Sequence, residues 1–480
     1  MENVSQELAI IGGGCSGALT ALRVLRSPRP VGVHIVDSCP RLGYGLAYST
    51  SCPLHLLNVP ANGMSVSPES PDDFVEWLAA DLGIPPDPHG FLPRETFGRY
   101  VADRLESARQ QAHPRSMLIH HRAEALDVRR EGGMAVLDLS GGERLSADLI
   151  VLALGNAPPR PLPYFPLGGT NPMFYDSAWS PGALNSDPKL PVGLIGLGLT
   201  AVDAFLGLRA NGHRGVVHMV SPRGLLPQPH RAPNGSPQNN VGADVQYEDV
   251  SLRNLVRHLR RQVCSAELHG GDWRDVIASL RSSTNKLWSG FTRAERERFY
   301  RHVKAYWDIH RHRMAPQVAA RIDAARRGAM LRVHTGRVER VTSTGDSVDL
   351  EIRGPSQAAN YISVQRLINC TGPEQDYRRV DSCLLRSLFA KSWLDADALG
   401  IGIRTAGNGA VIDGRGGEIS WLYAVGPMRI GGLLETTAIP DIREQTAEFA
   451  RTLTAASGAI MPLKQISGAL PPGYRPRAFT

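Results

Sequence analysis

The sequence predicts an α/β protein that contains two Rossmann-like domains and a helical insertion. Residues 8–25 have the pattern of a short apolar strand, a glycine-rich turn and a packed helix, and residues 192–210 repeat that order. Between residues 251 and 327 the apolar side chains recur with helical spacing instead. A strand that leads through glycines into a helix opens each half of a doubly wound fold. Two such openings in one chain therefore predict two domains of this kind.

The composition is that of a globular protein. The 480 residues are 42% apolar and 21% charged, with a mean hydropathy of −0.19. These values exclude disordered and fibrous chains, and no apolar run approaches the ~20 residues that cross a bilayer. The first residues lack the basic start of a signal peptide, and the six cysteines are scattered without a C-x-x-C pair. We therefore expect reduced thiols, a cytoplasmic location and no membrane partner.

The excess positive charge lies in one segment. The whole chain carries +7, and residues 251–313 contain 14 Lys and Arg against six Asp and Glu. No basic run in the sequence is interleaved with aromatic residues, so nucleic acid is not an expected partner. Two interpretations stay open, a solvated helical face or a wall that attracts an anionic substrate.

Breaks in the pattern give the domain boundaries. An apolar strand stops at Leu154-Gly155, a proline-rich linker follows from Pro158 to Pro191, and Thr371-Gly372 repeats the earlier strand end. Strand ends of this kind suit points where a chain crosses between two domains. We predict a first domain at residues 1–160 and 361–480, a second domain at 190–235 and 328–360, and a helical insertion at 236–327.

The first glycine-rich turn is Gly12-x-Gly14-x-x-Gly17. In a strand–turn–helix unit these glycines allow a tight turn, let backbone N–H groups approach a pyrophosphate and let the helix pack on the strand. Asp37 lies 20 residues beyond Gly17 at the end of the second strand, where a carboxylate can accept hydrogen bonds from ribose hydroxyls. The pattern predicts a dinucleotide site in the first domain.

The second turn is Gly196-x-Gly198-x-x-Ala201. After the strand that follows, the chain has Ser221-Pro222-Arg223-Gly224 and no acid. An arginine there can pair with the 2′-phosphate of NADP, which a carboxylate would repel. The second domain is therefore predicted to bind NADPH. Two dinucleotide sites in one chain suit a flavin that receives hydride, so the N-terminal site is assigned to FAD.

Six further stretches span nearly the whole chain. They are GYGLAY at 43–48, HLLNVPA at 55–61, WDIHRHRMAP at 307–316, NCTGP at 369–373, GPMRIG at 426–431 and ETTAIPDIR at 435–443. Together they resemble a known family, the FAD/NAD(P)-binding flavoproteins with two dinucleotide-binding domains. This group includes bacterial flavin-dependent aspartate N-monooxygenases (nitrosuccinate synthases) and FAD-dependent urate hydroxylases.

The resemblance implies which residues bind the cofactors. The adenosine half of FAD would contact the first turn, the isoalloxazine would lie along the loop from His55 to Met64, and Gly426 would lie near the flavin edge. Pro427 stands where many flavoproteins of this type have an Asp, so no ribityl-binding carboxylate is assigned. Asn58 would be a catalytic amide that faces the flavin or the nicotinamide, or else a residue that caps its own loop. The complete cofactor set is Gly12, Gly14, Ser16, Gly17, Asp37, Ser38, Arg41, His55, Asn58, Met64, Gly155, Gly196, Gly198, Thr200, Ala201, Ser221, Arg223, Gly372, Gly426 and Pro427.

The activity that the resemblance implies is that of an NADPH-dependent flavin monooxygenase, which forms a C4a-(hydro)peroxyflavin with O2 and oxygenates a small molecule. An amine must be unprotonated to attack, and burial or nearby cations favour that form. Arginines also bind carboxylates through paired hydrogen bonds. We therefore expect N-oxygenation of a small acidic amino acid such as aspartate, with Arg311, Arg313 and Arg429 as carboxylate-binding residues.

Other functions stay open. One is a flavin hydroxylase that acts on a heteroaromatic anion such as urate, and another is a flavoprotein reductase or oxidase without oxygen transfer. A disulfide reductase is disfavoured because C-x-x-C is missing. No metal is expected, since His310 and His312 lie two residues apart on a predicted helix and face different directions. An oligomer is possible.

Arg223→Ala should raise the KM for NADPH much more than the KM for NADH. The lost pairing with the 2′-phosphate is worth about 1.5–3 kcal/mol, and NADH carries no such phosphate. Steady-state kinetics with both coenzymes measure the two values. Equal changes in both would remove the argument for NADPH.

Overall fold

The computed structural model describes residues 6–83, 86–165, 172–231 and 251–456. Within these ranges the strands are β1 (Gln6–Ile11), β2 (Val31–Val36), β3 (Met117–His121), β4 (Ala125–Glu131), β5 (Met134–Leu139), β6 (Arg144–Ala147), β7 (Leu149–Leu152), β8 (Phe174–Tyr175), β9 (Val192–Ile195), β10 (Val217–Ser221), β11 (Leu331–Thr335), β12 (Arg337–Ser343), β13 (Val348–Arg353), β14 (Ala359–Val364), β15 (Arg366–Asn369), β16 (Ala410–Ile412) and β17 (Glu418–Ala424). The helices are α1 (Cys15–Leu25), α2 (Gly45–Tyr48), α3 (Asp73–Leu82), α4 (Arg94–Gln111), α5 (Leu199–Ala210), α6 (Leu252–Leu268), α7 (Trp273–Ser279), α8 (Thr284–Gly290), α9 (Arg293–Arg298), α10 (Lys304–Arg311), α11 (Pro316–Arg327), α12 (Cys383–Ala390) and α13 (Ile439–Ala456).

The first domain is built on a six-stranded sheet with the order β16-β17-β7-β1-β2-β3. Its neighbours are parallel except for β16 and β17. The last four residues of β1 and most of β2 are buried and apolar, as expected where helices cover both faces of a parallel sheet. Because β17 pairs with β7, the end of the chain completes a domain that the start of the chain begins.

The second domain repeats this arrangement with the order β11-β10-β9-β15-β8. Strands β9, β10, β11 and β15 correspond to β1, β2, β3 and β7, and each domain adds a three-stranded antiparallel sheet, β4-β5-β6 or β12-β13-β14. The α/β class with two Rossmann-like domains is confirmed.

Two segments differ from the predicted boundaries. Strand β15 pairs with β9, so the second domain extends to Asn369 and not only to residue 360. Strand β15 lies between β9 and β8, and the chain crosses to the first domain only after this strand. The proline-rich linker likewise contributes β8, which pairs with β15.

Helix α11 also belongs to the second domain, although the predicted insertion included it. Val318, Ala319 and Ile322 of this helix pack with Val192 and Leu194 of β9. Helical spacing alone shows that a segment is helical but not which core its apolar face enters.

The insertion proper has its own small core. Trp288 is fully buried there among Leu255, Leu287 and Phe299, and its indole N–H donates to the carbonyl of Gly431 in the first domain at 3.0 Å. A π-helical turn, Phe299–Val303, joins α9 to α10. None of the helices in the described ranges is long and apolar enough to span a bilayer.

Gly196→Ala should lower the stability of the fold, whereas Gly198→Ala should not. Gly196 has φ +119° and an added β-carbon would lie 2.2 Å from the carbonyl oxygen of Cys370, but nothing lies within 4 Å of the same atom at Gly198. We expect a loss of about 2–4 kcal/mol in the first variant and less than about 1 kcal/mol in the second. Chemical denaturation of both proteins measures the difference, and equal stabilities would contradict it.

Candidate active site

Two helix N-termini form the centres of the predicted dinucleotide sites. Helices α1 and α5 begin after Gly14 and Gly198, and neither has a side-chain cap or an acid in its first turn. By contrast, Ser251, Thr292 and Ser382 cap the helices that follow them. Uncapped N–H groups at a helix start attract anions such as a pyrophosphate. Both starts are therefore suited to a phosphate ligand.

The glycines around these starts make the required space. Gly12 (φ +105°) packs against the carbonyl of Ala153, where a β-carbon would lie at 2.3 Å. At the equivalent place in the second domain, Gly196 packs against the carbonyl of Cys370. Gly155 and Gly372 follow these two contacts with φ +67° and +88°, and a β-carbon on either would meet no atom within 4 Å.

The two sites differ where the second strand of each domain ends. The Asp37 carboxylate accepts the N–H groups of Gly13 (2.5 Å) and Cys39 (2.7 Å), which fixes it beside the first turn. At the corresponding place in the second domain, Ser221 accepts the N–H of Gly224 at 3.1 Å. Arg223 reaches across to the insertion and donates to the backbone carbonyl of Arg301 at 2.9 Å.

Buried polar atoms without partners support a flavin in the first domain. Gly426 (φ +88°) lies against Ser16 at the start of α1, because a β-carbon would be 2.7 Å from its hydroxyl. Gln445 accepts the N–H of Gly426 at 2.9 Å, but its own buried amide nitrogen has no partner among the described residues. The buried hydroxyl of Thr436 has none either. The residues present therefore fit a polar ligand that runs from α1 towards α13.

Other residues of the predicted flavin set are arranged differently. The Arg41 guanidinium lies 4.3 Å from the centre of the Tyr44 ring and is largely exposed, as is Ser38. Met64 is 2% exposed, and its side chain packs in the first-domain core. This side chain is therefore directed into the core and not towards a flavin. Pro427 begins a short 3-10 helix.

His55 is a correction to the predicted cofactor set. It is buried, its Nε2–H donates to the carbonyl of Asp203 at 2.8 Å, and its Nδ1 accepts from the Thr50 hydroxyl at 2.7 Å. Both ring nitrogens are thus used inside the protein. Arg94 binds the Asp203 carboxylate at 2.7 Å in the same place. This group joins the first domain to α5 of the second domain.

Asn58 lies where three parts of the chain meet. Its backbone carbonyl accepts the Nε2–H of His230 at 2.9 Å, and His230 follows the second-domain strand β10. The neighbouring segment of the insertion ends at Met314, whose carbonyl accepts the His230 N–H at 2.8 Å. Arg313 in that segment therefore lies close to the predicted flavin loop.

Arg313 is the most unusual side chain of this junction. Its guanidinium has no ion pair or hydrogen bond within the described ranges, and its Nε is buried without a partner. Burial, reinforced by the charges of Arg311 and Arg274 and opposed by the carboxylates of Asp272 and Asp275, lowers its pKa to about 10. The nearest aromatic ring, that of Trp273, has its centre 6.0 Å away. A partly buried cation of this kind, without a direct ion pair, is suited to bind an anion.

The other two predicted carboxylate-binding residues have partners in the protein. Arg311 forms an almost fully buried ion pair with Glu435 at 3.1 Å, although its Nη2 is left without a partner. Arg429, which is 2% exposed, donates to the carbonyls of Ala406 (3.1 Å) and Gly407 (2.8 Å). We therefore correct the prediction for Arg429, because it holds a loop of the first domain and is closed to a substrate.

Sequence reasoning missed His230, Glu435 and Asp203. Glu435 lay in one of the recognised stretches but received no role. His230 and Asp203 carry no local motif, since their importance comes from contacts across the domain boundary. Burial raises the pKa of Glu435, and the Arg311 charge opposes that rise.

Comparison with known proteins supports the fold. Residues 9–157 match the profile of a family described as FAD-NAD(P)-binding, whereas no curated protein matches the sequence significantly. The solved structure of an ornithine N-hydroxylase from Kutzneria sp. 744 is 14% identical and aligns with a TM-score of 0.65 over 95% of this chain and 100% of that one. The ornithine hydroxylase of Pseudomonas aeruginosa is 16% identical, with a TM-score of 0.62 over 94% and 99%.

A third similar structure is the cadaverine monooxygenase of Erwinia amylovora, which was solved with FAD bound. It is 12% identical and has a TM-score of 0.62 over 98% of this chain and 100% of that chain. The three alignments cover nearly the whole of both chains. The chain therefore has the fold of these structures, and the match to the FAD-NAD(P)-binding family lies in its first domain.

The junction should make stability depend on pH. Burial and the Arg313 charge lower the pKa of His230 from 6.5 to about 4. Below about pH 6.5 the unfolded chain binds the proton first, so this histidine reduces stability as pH falls from about 6.5 to about 4 and has no such effect above that range. His230→Gln, which keeps an N–H donor, should show a smaller drop in Tm between pH 7 and pH 5 than the parent protein.

The control for this experiment is His302→Gln, at an exposed position of the insertion. That variant should follow the parent protein at both pH values. Thermal unfolding followed by circular dichroism gives the midpoints. The interpretation is wrong if His230→Gln loses as much Tm as the parent.

Proposed function

We propose that this protein is an NADPH-dependent flavin monooxygenase that oxygenates the amino group of a small, acidic, aspartate-like amino acid. One observation carries the proposal, the partly buried Arg313 guanidinium, which lacks an anionic partner in the described ranges and lies beside the Asn58 loop. The substrate carboxylate supplies that partner. The Nη2 group of Arg311, buried and also without a hydrogen bond, suits a second carboxylate.

The first domain would hold FAD at the N-terminus of α1, with Asp37 on its ribose and Gln445 and Thr436 along its length. The second would hold NADPH at the N-terminus of α5, with Arg223 on its 2′-phosphate. When bound, these groups supply the hydride and the O2 activation that an N-oxygenation needs. The described cysteines are all free thiols, which suits the cytoplasmic location that we propose.

The junction would also prepare the substrate amine. A cluster of cations, Arg274, Arg311 and Arg313, disfavours an ammonium group near it and so favours the neutral amine that can attack oxygen. Burial and, after it, the same charges lower the pKa of His230, in keeping with a cationic junction. The Arg311–Glu435 pair closes the junction on the side of α13 and limits access of water.

The similar structures support the reaction class. The Kutzneria and Pseudomonas proteins are ornithine hydroxylases, and the Erwinia protein acts on cadaverine. Their substrates carry an amino group, which is the group that we propose is oxygenated here. Cadaverine has no carboxylate. The proposal that the substrate is acidic therefore depends on the arginines of this chain and not on the similar structures.

A substrate screen tests the proposal. The FAD-loaded protein is mixed with NADPH, O2 and single free amino acids or purines, and NADPH loss, peroxide release and product mass are recorded. We expect coupled NADPH use and a product heavier by one or more oxygen atoms with an acidic amino acid. Oxygenation of a purine alone, or NADPH use with peroxide and no oxygenated product, would reject it.

Arg313→Gln should raise the KM for the acidic amino acid by roughly 10- to 100-fold, since a charge-assisted hydrogen bond is worth about 1.5–3 kcal/mol. FAD content and the Kd for NADP⁺ should stay unchanged. Arg293→Gln, at an exposed position on α9, is the matched control. An unchanged substrate KM in the Arg313 variant would show that this cation serves another anion.

A further inference from the structure

A second feature of the insertion lies apart from the junction. A groove of about 1040 Å³ runs between α6 and the segment from Glu295 to Val303. Val256 and Val303 form part of its floor, and Leu268 at the end of α6 is 84% exposed. An open apolar floor on a helix of 17 residues (roughly 25 Å long) is typical of a surface that receives another helix.

The rim of this groove is strongly basic. Arg253, Arg257 and Arg261 follow one another at intervals of four residues along α6 and form a row, which we call the arginine row. Arg260 and Arg298 add two further charges. Like charges four residues apart on a helix repel each other by a few tenths of a kcal/mol for each pair.

These charges are not neutralised in the part of the chain that the structure describes. No ion pair involves a member of the arginine row there, and Arg257 bonds only the amide of Asn254. The one acid in the groove, Glu295, uses its carboxylate to accept the N–H groups of Leu252 and Thr292. The groove therefore calls for an occupant that carries acids beside apolar groups.

The chain itself offers a helix that exposes acids at one end and an apolar side chain at the other. Asp72 and Glu76 lie four residues apart at the start of α3, both are exposed, and neither forms an ion pair within the described ranges. Leu82, at the other end of α3, is 51% exposed. The inner face of α3 is buried through Phe74, Trp77 and Leu78, so the acids face outwards.

We propose that the groove of one copy receives α3 of a second copy, so that Asp72 and Glu76 pair with the arginine row. The two rows have opposite charge and the same four-residue spacing, so one helix can lie along the other. Each copy provides one groove and one α3. A two-fold axis would make the contact twice in a dimer, and a larger ring would make it once at each boundary between copies. The inference is independent of the proposed function.

Charge exchange tests this contact. The full-length FAD-loaded protein, Arg257→Glu, Glu76→Arg and the variant with both changes are compared by light scattering and sedimentation. We expect the parent to associate at concentrations of about 50 µM or less, and each single variant to dissociate with a Kd at least about tenfold higher. The double variant should regain most of the parent affinity because the two side chains again carry opposite charges, with the positions of the acid and the base exchanged.

Two controls separate the contact from general effects. Arg293→Glu changes an exposed arginine of α9 that does not line the groove, and it should leave the Kd unchanged. Raising NaCl from about 0.1 M to about 1 M should weaken association, since the Debye length falls from ~10 Å to ~3 Å. Flavin absorbance and Tm confirm that each variant is folded.

A parent protein that stays monomeric would overturn the proposal. So would an oligomer that Arg257→Glu leaves intact. If Arg257→Glu dissociates the oligomer and the second change does not restore it, the groove contacts another surface and the assignment to α3 is wrong.

Discussion

Both predicted dinucleotide sites depend on one contact, in which a glycine packs directly on a backbone carbonyl of the neighbouring strand. Gly12 meets Ala153 in the first domain, and Gly196 meets Cys370 in the second. Because no side chain fits between them, each loop lies flat on its sheet and the following helix starts at the carboxyl ends of the parallel strands. This edge is where ligands of doubly wound sheets bind. The chain also crosses between the domains here, at Gly155 and Gly372, so ligand sites and crossings share one place.

The arginines of the protein fall into groups that the sequence does not separate. Arg94, Arg281 and Arg311 pair with carboxylates across elements and hold the parts of the molecule together. Arg429 holds a loop through backbone carbonyls. Arg313 differs because its charge is partly buried and it forms no direct ion pair or hydrogen bond within the described ranges. Net charge therefore identifies a basic segment of the sequence. Only the contacts in the structure show which arginine of that segment lacks a direct partner and so is available to bind a ligand.

The sequence was sufficient for the features that repeat locally. Glycine spacing and apolar runs predicted the strand–turn–helix units, and the missing acid after β10 distinguished the two sites. Features that depend on contacts between distant segments could not be predicted from the sequence. The return of β15 to β9, the attachment of α11 to the second domain and the contact of His55 with Asp203 each join segments far apart in the chain. A histidine followed by apolar residues looks the same in sequence whether it faces a cofactor or a buried carbonyl.

The relative position of the two sites follows from short, rigid connections. Helix α5 carries the predicted coenzyme-binding turn at its start and Asp203 within its second turn, and Asp203 binds both Arg94 and His55 of the first domain. The loop that begins at His55 is tied a second time where His230 donates to Asn58. Sliding one domain over the other would expose or separate the buried Arg94–Asp203 pair, and breaking such a pair costs about 3–5 kcal/mol. Two ties within the first four residues of one loop, at His55 and Asn58, therefore resist sliding of one domain over the other.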